Sequence, residues 1–194
     1  TVLAAGSIFT GSVHEPIKGT KNPQKMLQTG IPFTKKPVAL QFDYKVKMSD
    51  RENRIRATGF SKITDVPGKD YPAAILLLQK RWEDANGNVY AKRIGTMVTY
   101  YYHSTDWKNN VTYEIMYGDI TNRPEYKAHM MRLQATESYT VNSKGESVPI
   151  HEVAWGDEND VPTHMYIQFT SSHGGAYIGS PGNTLWVDNV KLVY

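Results

Sequence analysis

VALQFDYKVKM, residues 38–48, is the stretch whose reading decides the fold. Val38, Leu40, Phe42, Tyr44, Val46 and Met48 alternate with Ala39, Gln41, Asp43, Lys45 and Lys47. A period of two sends successive side chains to opposite faces, so this segment reads as a strand with one face on a core and the other toward water. Further along, YPAAILLLQKRW at 71–82 behaves differently. Ala73 to Leu78 are apolar without a break, as in a strand that is covered on both faces and central in its sheet. Asn86-Gly87 then offers the positive φ values of a tight hairpin, and alternation resumes at Val89 and Tyr90. The two flanking strands are therefore expected to pair antiparallel.

The rest of the chain extends the pattern. From Arg93 to His103, Ile94, Thr96, Val98, Tyr100 and Tyr102 share one parity, and Arg93, Met97, Tyr101 and His103 the other. Both faces carry aromatics. A polar turn from Ser104 to Asn110 separates this strand from Val111, Tyr113, Ile115 and Tyr117, and the two are expected to form a second hairpin. The segment 122–141 is the least regular: Pro124 to Leu133 suits a short helix, and Glu137 to Val141 an extended piece before the Lys144-Gly145 turn. His164 to Ser172 and Thr184 to Tyr194 close the chain as strands around a glycine-rich loop. In the last of these the apolar parity switches at Asp188-Asn189, which predicts a bulge. No repeat, linker or low-complexity tract intervenes, so residues 1–194 read as a single domain. Eight or so strands suit an all-β, two-sheet antiparallel sandwich of the jelly-roll type.

Composition removes several classes of function. The 194 residues carry 22 basic and 19 acidic side chains, a net charge of +3, without the concentrated stripe that a phosphate backbone selects, so nucleic acid is not expected as a partner. The absence of cysteine excludes disulfides and thiolate metal sites. The longest apolar run, around Ala73 to Leu78, is too short for a transmembrane segment. The first residues lack the basic, apolar and small-residue order of a signal peptide, so the chain reads as a mature or trimmed form.

Candidate binding residues follow from sugar chemistry. Pyranose rings present C–H faces that stack on aromatic rings and hydroxyls that pair with carboxylates, amides and guanidinium groups. Tyr101, Trp107, Trp155 and Tyr177 are the candidates for stacking, since each lies on a polar-facing parity or in a polar loop. His103, Asp106, Asp157 and His173 are their candidate polar partners. The competing reading for each ring is core packing, because aromatics dominate sandwich interiors. Trp82 and Trp186 sit inside apolar strands and are assigned to packing. His173-Gly174-Gly175 either lets backbone approach a ligand or forms a tight turn. Glycoside hydrolysis needs two facing carboxylates about 5–10 Å apart. Asp43, Glu114, Asp119, Glu137, Asp157, Glu158 and Asp160 are available, and spacing singles out no pair. His151-Glu152 and His164 lack a neighbouring metal ligand at useful spacing, and neither a Gly-x-Ser-x-Gly nor a phosphate-loop string occurs.

Specific strings add to this pattern. GSIFTG at 6–11, TGIPFTKKPVAL at 29–40, the 93–107 strand ending in a Trp, SSHGGA at 171–176 and GNTLWVDNVKLVY at 182–194 occur in this order. Together they resemble the putative carbohydrate metabolism domain of Bacteroidetes surface and periplasmic proteins. The resemblance runs nearly end to end, and GIPFT-x-x-P and LWVDNVKL are its most specific pieces. It implies a C-terminal jelly roll in lipoproteins linked to glycan use, placed on the outer membrane surface or in the periplasm, often after an immunoglobulin-like domain. It implies no demonstrated reaction. In that family one or two further strands precede the GSIFTG string, so here either those strands have been lost by processing or a different segment completes the sheet, and something is expected to cover the unpaired edge.

The resulting expectation is a module that binds or handles an oligo- or polysaccharide beside enzymes or outer-membrane glycan-import or surface-complex proteins. One alternative is a glycoside hydrolase using two cleft carboxylates, and another is an accessory structural lipoprotein of a membrane complex. No cofactor is required. The one metal expectation, by analogy with jelly-roll sugar-binding modules, is a structural calcium at Asp188 on the bulged last strand, and such a site needs about 6–8 oxygens.

Overall fold

The computed structural model describes residues 1–14, 21–157 and 159–194. In chain order its strands are β1 (Ser7–Phe9), β2 (Gly11–Val13), β3 (Leu27–Thr29), β4 (Ile31–Pro32), β5 (Ala39–Lys47), β6 (Arg54–Arg56), β7 (Thr64–Val66) and β8 (Ala73–Glu83). They continue as β9 (Val89–Tyr100), β10 (Thr105–Glu114), β11 (Met116–Tyr117), β12 (Tyr139–Val141), β13 (Ser147–Trp155), β14 (His164–Thr170), β15 (Ile178–Gly179) and β16 (Thr184–Val193). The fold is all-β and sandwich-like, with a single 3-10 turn at Pro23–Met26 among the described residues. No described helix is long and apolar enough to cross a membrane.

Two sheets enclose the main core. The larger runs β1-β14-β8-β9-β13-β12, with β4 added to β14 and β11 to β9, and the smaller runs β10-β5-β16. The alternation at 38–48 does what its period dictates: Leu40, Phe42 and Val46 of β5 point into the sandwich, against Leu76 and Leu78 of β8, Ile94 and Met97 of β9, and Ile167 and Phe169 of β14. Each fully buried Leu contributes about 1.5–3 kcal/mol. The unbroken run in β8 is also accounted for, because Ile75 and Leu77 pack on the opposite face with Val98, Met131 and Tyr166. At its end β8 turns into β9 through Asp84 to Asn88. Only Gly87 of the Asn86-Gly87 pair has positive φ (92°), and the Asp84 carboxylate accepts the amides of Asn86 and Asn88, each at 2.9 Å.

Several expectations are corrected. β13 had no sequence counterpart, and it lies parallel to β9, so the larger sheet is mixed. β10 does not pair with β9. It begins at Thr105, inside the supposed polar turn, and pairs with β5 across two register shifts. The chain then changes sheets at Ile115, so β11 returns to β9. The parity reading of 93–103 fails because β9 has a bulge between Arg93 and Gly95. Beyond it Met97 and Tyr101 join Ile94 in the core, while Thr96, Val98 and Tyr100 lie on the other face. The expected helix at 124–133 is a series of turns. Its neighbourhood serves a buried ion pair instead: Arg93 donates through Nε to Glu152 Oε1 at 2.6 Å and through Nη2 to Oε2. The Met131 carbonyl accepts from Arg93 and the Gln134 amide donates to Glu152, contacts that a helical backbone would not leave free. The predicted bulge in β16 is present between Asp188 and Lys191.

Edges are short. β1 covers part of β14, pairing Ser7 with Thr170 and Phe9 with Gln168. A cavity of about 520 Å³ opens between this edge and β16, lined by Leu3, Ile8, Phe169, Leu185 and Val187 among others.

Candidate functional site

β9 is longer than its neighbours. On the side away from β8, β13 covers it as far as Arg93, and β11 pairs with Gly95 and Thr96. From Met97 to Tyr100 that edge has no strand partner among the described residues. The Val98 backbone there bonds to the ring of His129, which arrives from the turns after β11. A groove of about 230 Å³ follows the open edge. Tyr100, Tyr102, Tyr113 and His129 supply its rings, Met116 and Met130 its apolar floor, and Glu114 and Lys127 its charges.

The rings form a continuous run. Tyr100 lies 4.9 Å from His129 and 4.8 Å from His173, measured between centroids. His173 is stacked on Tyr71 at 5.6 Å, and Tyr71 meets Tyr102 edge-on at 4.7 Å. Tyr102 remains 48% exposed, so the run ends in a ring that faces water. Contacts of this kind fix ring orientation at low cost in side-chain entropy.

Asp70 anchors the cluster from behind. Its buried carboxylate accepts the Ser172 hydroxyl at 3.0 Å and the amides of His173 (3.2 Å) and Ser180 (2.9 Å). Burial pushes the Asp70 carboxyl up, but the bonds from His173, Ser172 and Ser180 together outweigh it and hold the group below the ordinary carboxylate range. His173 Nδ1 lies 3.0 Å from the Tyr71 amide and 3.1 Å from Asp70 Oδ1.

The groove is neutral along its walls. Burial and the nearby Lys127 hold the His129 imidazole below its ordinary value despite the bond to Val98. Burial, with Tyr102 and Asp70 adding to it, raises the Tyr100 phenol. Rings of this kind offer apolar faces plus hydroxyl and N–H donors, with Glu114 and Lys127 as the flanking charges. Among the described residues Glu114 is the one carboxylate lining the groove.

The other candidate carboxylates are held elsewhere. Asp119 bonds Thr121, Glu137 the Thr136 amide, and Asp157 the Asn159 amide at 2.8 Å. Asp160 pairs with Lys80 at 2.8 Å, and Asp43 lies between two bulges in the smaller sheet. Glu158 lies outside the described residues.

The sequence-derived rings do not share a cleft. Tyr101 is 6% exposed and packs on Tyr44 at 4.6 Å, because the β9 bulge turns its parity inward. Trp107 is exposed on β10, on the smaller sheet, where neighbouring Asp106 lies 3.9 Å from Lys45. Trp155 ends β13 with the Arg93 guanidinium 5.6 Å from its ring, a packing role. Tyr177 precedes β15 with positive φ, and its carbonyl accepts the Ala57 amide. His103 is exposed just past β9, and Asp157 sits in a turn. Of the eight binding candidates His173 alone joins the ring cluster at the groove. Tyr71, Tyr100, Tyr102 and His129 were missed; the signal was the Tyr100-Tyr101-Tyr102 run, in which alternation guarantees that some rings face away from the core.

Trp82 and Trp186 are likewise not packed away: they are 43% and 40% exposed. Asp188 lies on the bulge, and its Oδ1 accepts the Asn189 amide at 2.7 Å. The neighbouring Asp43 carboxylate is faced by N–H donors from Asn110 and Asn189 rather than by oxygens. Among the described residues no three His, Cys, Asp or Glu groups lie together as a metal-ligand cluster.

A family model described as "Putative carbohydrate metabolism domain" matches residues 1–193. Two solved structures from Bacteroides are similar in fold. One, described as a putative glycoside hydrolase from Bacteroides thetaiotaomicron, aligns with a TM-score of 0.56 at 20% identity, covering 98% of this chain and 47% of that one. The other, a putative glycoside hydrolase from Bacteroides vulgatus, gives 0.51 at 15% identity, covering 98% and 64%. This chain therefore spans less than two thirds of either. No curated protein matches.

Proposed function

Because the chain belongs to the putative carbohydrate metabolism domain family, we propose that it captures a glycan chain, without cleaving it, in the groove beside the open edge of β9. The observation that carries this reading is the joining of a ring-lined groove to a single carboxylate. Tyr102 offers an exposed face for pyranose C–H groups, with Tyr100 braced between His129 and His173 behind it, the tyrosine hydroxyls offer hydrogen bonds, and Glu114 and Lys127 select at the rim. Acid–base cleavage of a glycosidic bond requires a second carboxylate across the substrate. In this reading the module works outside the cytoplasm, at the cell surface or in the periplasm, beside hydrolases or an outer-membrane glycan importer.

Hydrolysis is the competing reading, favoured by the descriptions of the two Bacteroides structures. A glycan microarray on the purified chain, run beside a reducing-sugar release assay on every glycan that binds, separates the two. Retention of one glycan class with no sugar release is expected. Release that Glu114→Gln abolishes, or an array without any retained glycan, overturns the proposal.

A further inference from the structure

Across the far end of the larger sheet lies a second set of rings that the groove does not use. β14 stops opposite Gln79, where His164 is its first residue, so from Lys80 to Glu83 the outer edge of β8 has no strand partner among the described residues, although the Thr163 hydroxyl takes the Arg81 amide at 2.8 Å. On that edge Trp82 stands directly across from Tyr90, with centroids 5.8 Å apart and planes within 22°. Tyr90 in turn lies 5.6 Å from His151, its register partner on β13. Trp82 has the parity of Leu78, so this row occupies the face that packs on the smaller sheet elsewhere and here extends past it. One face of the indole is backed by Tyr90, whose hydroxyl is tied to Asp84 at 3.4 Å, and Trp82 as a whole is 43% exposed.

An exposed indole at a sheet edge invites another strand or chain unless something apolar and non-pairing occupies it. The surroundings say what that occupant is. Lys80, one step along the strand on the same face, is paired with Asp160 at 2.8 Å, and Lys92 is held in the same field. With Asp160 set against Lys80 and the Asp84 carboxylate at the Tyr90 hydroxyl offsetting Lys92, the flanks carry hydrogen-bonding groups without a surplus of either charge, which suits a ligand of hydroxyls and C–H faces rather than an acidic or basic one. We infer that the Trp82 face is a second glycan site, stacking a neutral pyranose unit against the indole that Tyr90 and His151 hold upright. It stands on different side chains from the groove and does not require it. Tyr90 and Tyr100 are ten residues apart on one strand, so the two sites are separated by roughly 30 Å.

The test is isothermal titration of cello-, xylo-, manno- and laminari-hexaose, with hexagalacturonate as the charged control, into wild type, Trp82→Ala, Trp82→Phe and Tyr102→Ala. Sedimentation of each protein is recorded alongside. The expected result is a loss of about tenfold in affinity for at least one neutral hexaose in Trp82→Ala. Partial retention is expected in Trp82→Phe and no change for that ligand in Tyr102→Ala, with all proteins monomeric. Unchanged affinities in Trp82→Ala overturn the inference, even if Tyr102→Ala loses binding and so upholds the groove. Binding confined to hexagalacturonate overturns it too, as does a wild-type dimer that Trp82→Ala dissolves, or no binding at all. Loss in Trp82→Ala with Tyr102→Ala intact for every ligand upholds this site and counts against the groove. Trp82→Phe keeps the edge filled, so its partial effect reads the site even if the Ala variant folds poorly.

Discussion

Asp43 accepts the backbone amide of Asn110 at 2.6 Å, and the contact joins two irregularities in adjacent strands. Asn110 is at φ 52° beside the β10 bulge, and Asn189, at the same φ beside the β16 bulge, donates its Nδ2 to the same carboxylate at 2.7 Å. One side chain of β5 thus holds both neighbours of the smaller sheet in register. The Asn189 side chain first, then the Asn110 amide, keep the Asp43 carboxyl below its ordinary range. A depressed carboxylate stabilises the fold above its unfolded value, and that contribution disappears as pH falls through the folded one. Asp43→Ala should therefore melt lower than wild type at pH 7, and the gap should close in strong acid. Thermal melts by circular dichroism from pH 7 down to pH 3 check this.

The Arg93 to Glu152 pair predicts a steeper loss. Both side chains are buried, and Gln79 and the Gln134 amide complete the carboxylate's bonds. Glu152→Gln leaves the guanidinium buried without its countercharge, which typically costs about 3–5 kcal/mol. Replacing both, as Arg93→Met with Glu152→Leu, should recover much of that loss, since the desolvation of two ions is removed as well. Urea unfolding of wild type, single and double variants measures it.

His164 makes stability depend on pH near neutrality. Burial first, and the Arg81 cation second, push its imidazole down to about 4. The unfolded chain then binds the proton more readily than the folded one, so stability is complete above about pH 6.5 and falls as pH drops toward the folded value. The ring is partly open to solvent, which moderates the slope. His164→Gln should flatten it, and urea midpoints between pH 7.5 and 4.5 report the difference.

Tyr101 separates core from site. Tyr101→Ala should destabilise the sandwich by about 3–5 kcal/mol, the range for deleting a buried aromatic. Tyr101→Phe should retain glycan binding at wild-type affinity, because the residue lies against Tyr44 and away from the groove. Denaturant unfolding and titration calorimetry on the two variants read these separately.

The sandwich was legible because period two survives wherever one face meets the core, as in Leu40 to Val46, and because a doubly covered strand such as Ala73 to Leu78 loses its polar parity altogether. The bulge at Asp188 showed itself in the same way, as a parity switch. The bulge near Ile94 did not: Tyr100, Tyr101 and Tyr102 are one residue type, so no change of hydropathy marked which rings had turned inward. Trp82 was misread for a related reason. Its apolar run continues the buried segment in sequence, but β14 ends opposite Gln79, and the length of a neighbouring strand is not written in the strand it covers. β13 escaped because Pro149, His151 and Glu152 break the alternation, the last of them to meet Arg93.

Glycan capture at the open edge of β9 is tested most directly by titrating the glycan class retained on the array into Tyr102→Ala, whose altered ring is half exposed and outside the core. The account predicts that affinity falls at least tenfold while the melting temperature stays at the wild-type value. Wild-type affinity in that variant, with the same glycan still held, would contradict it.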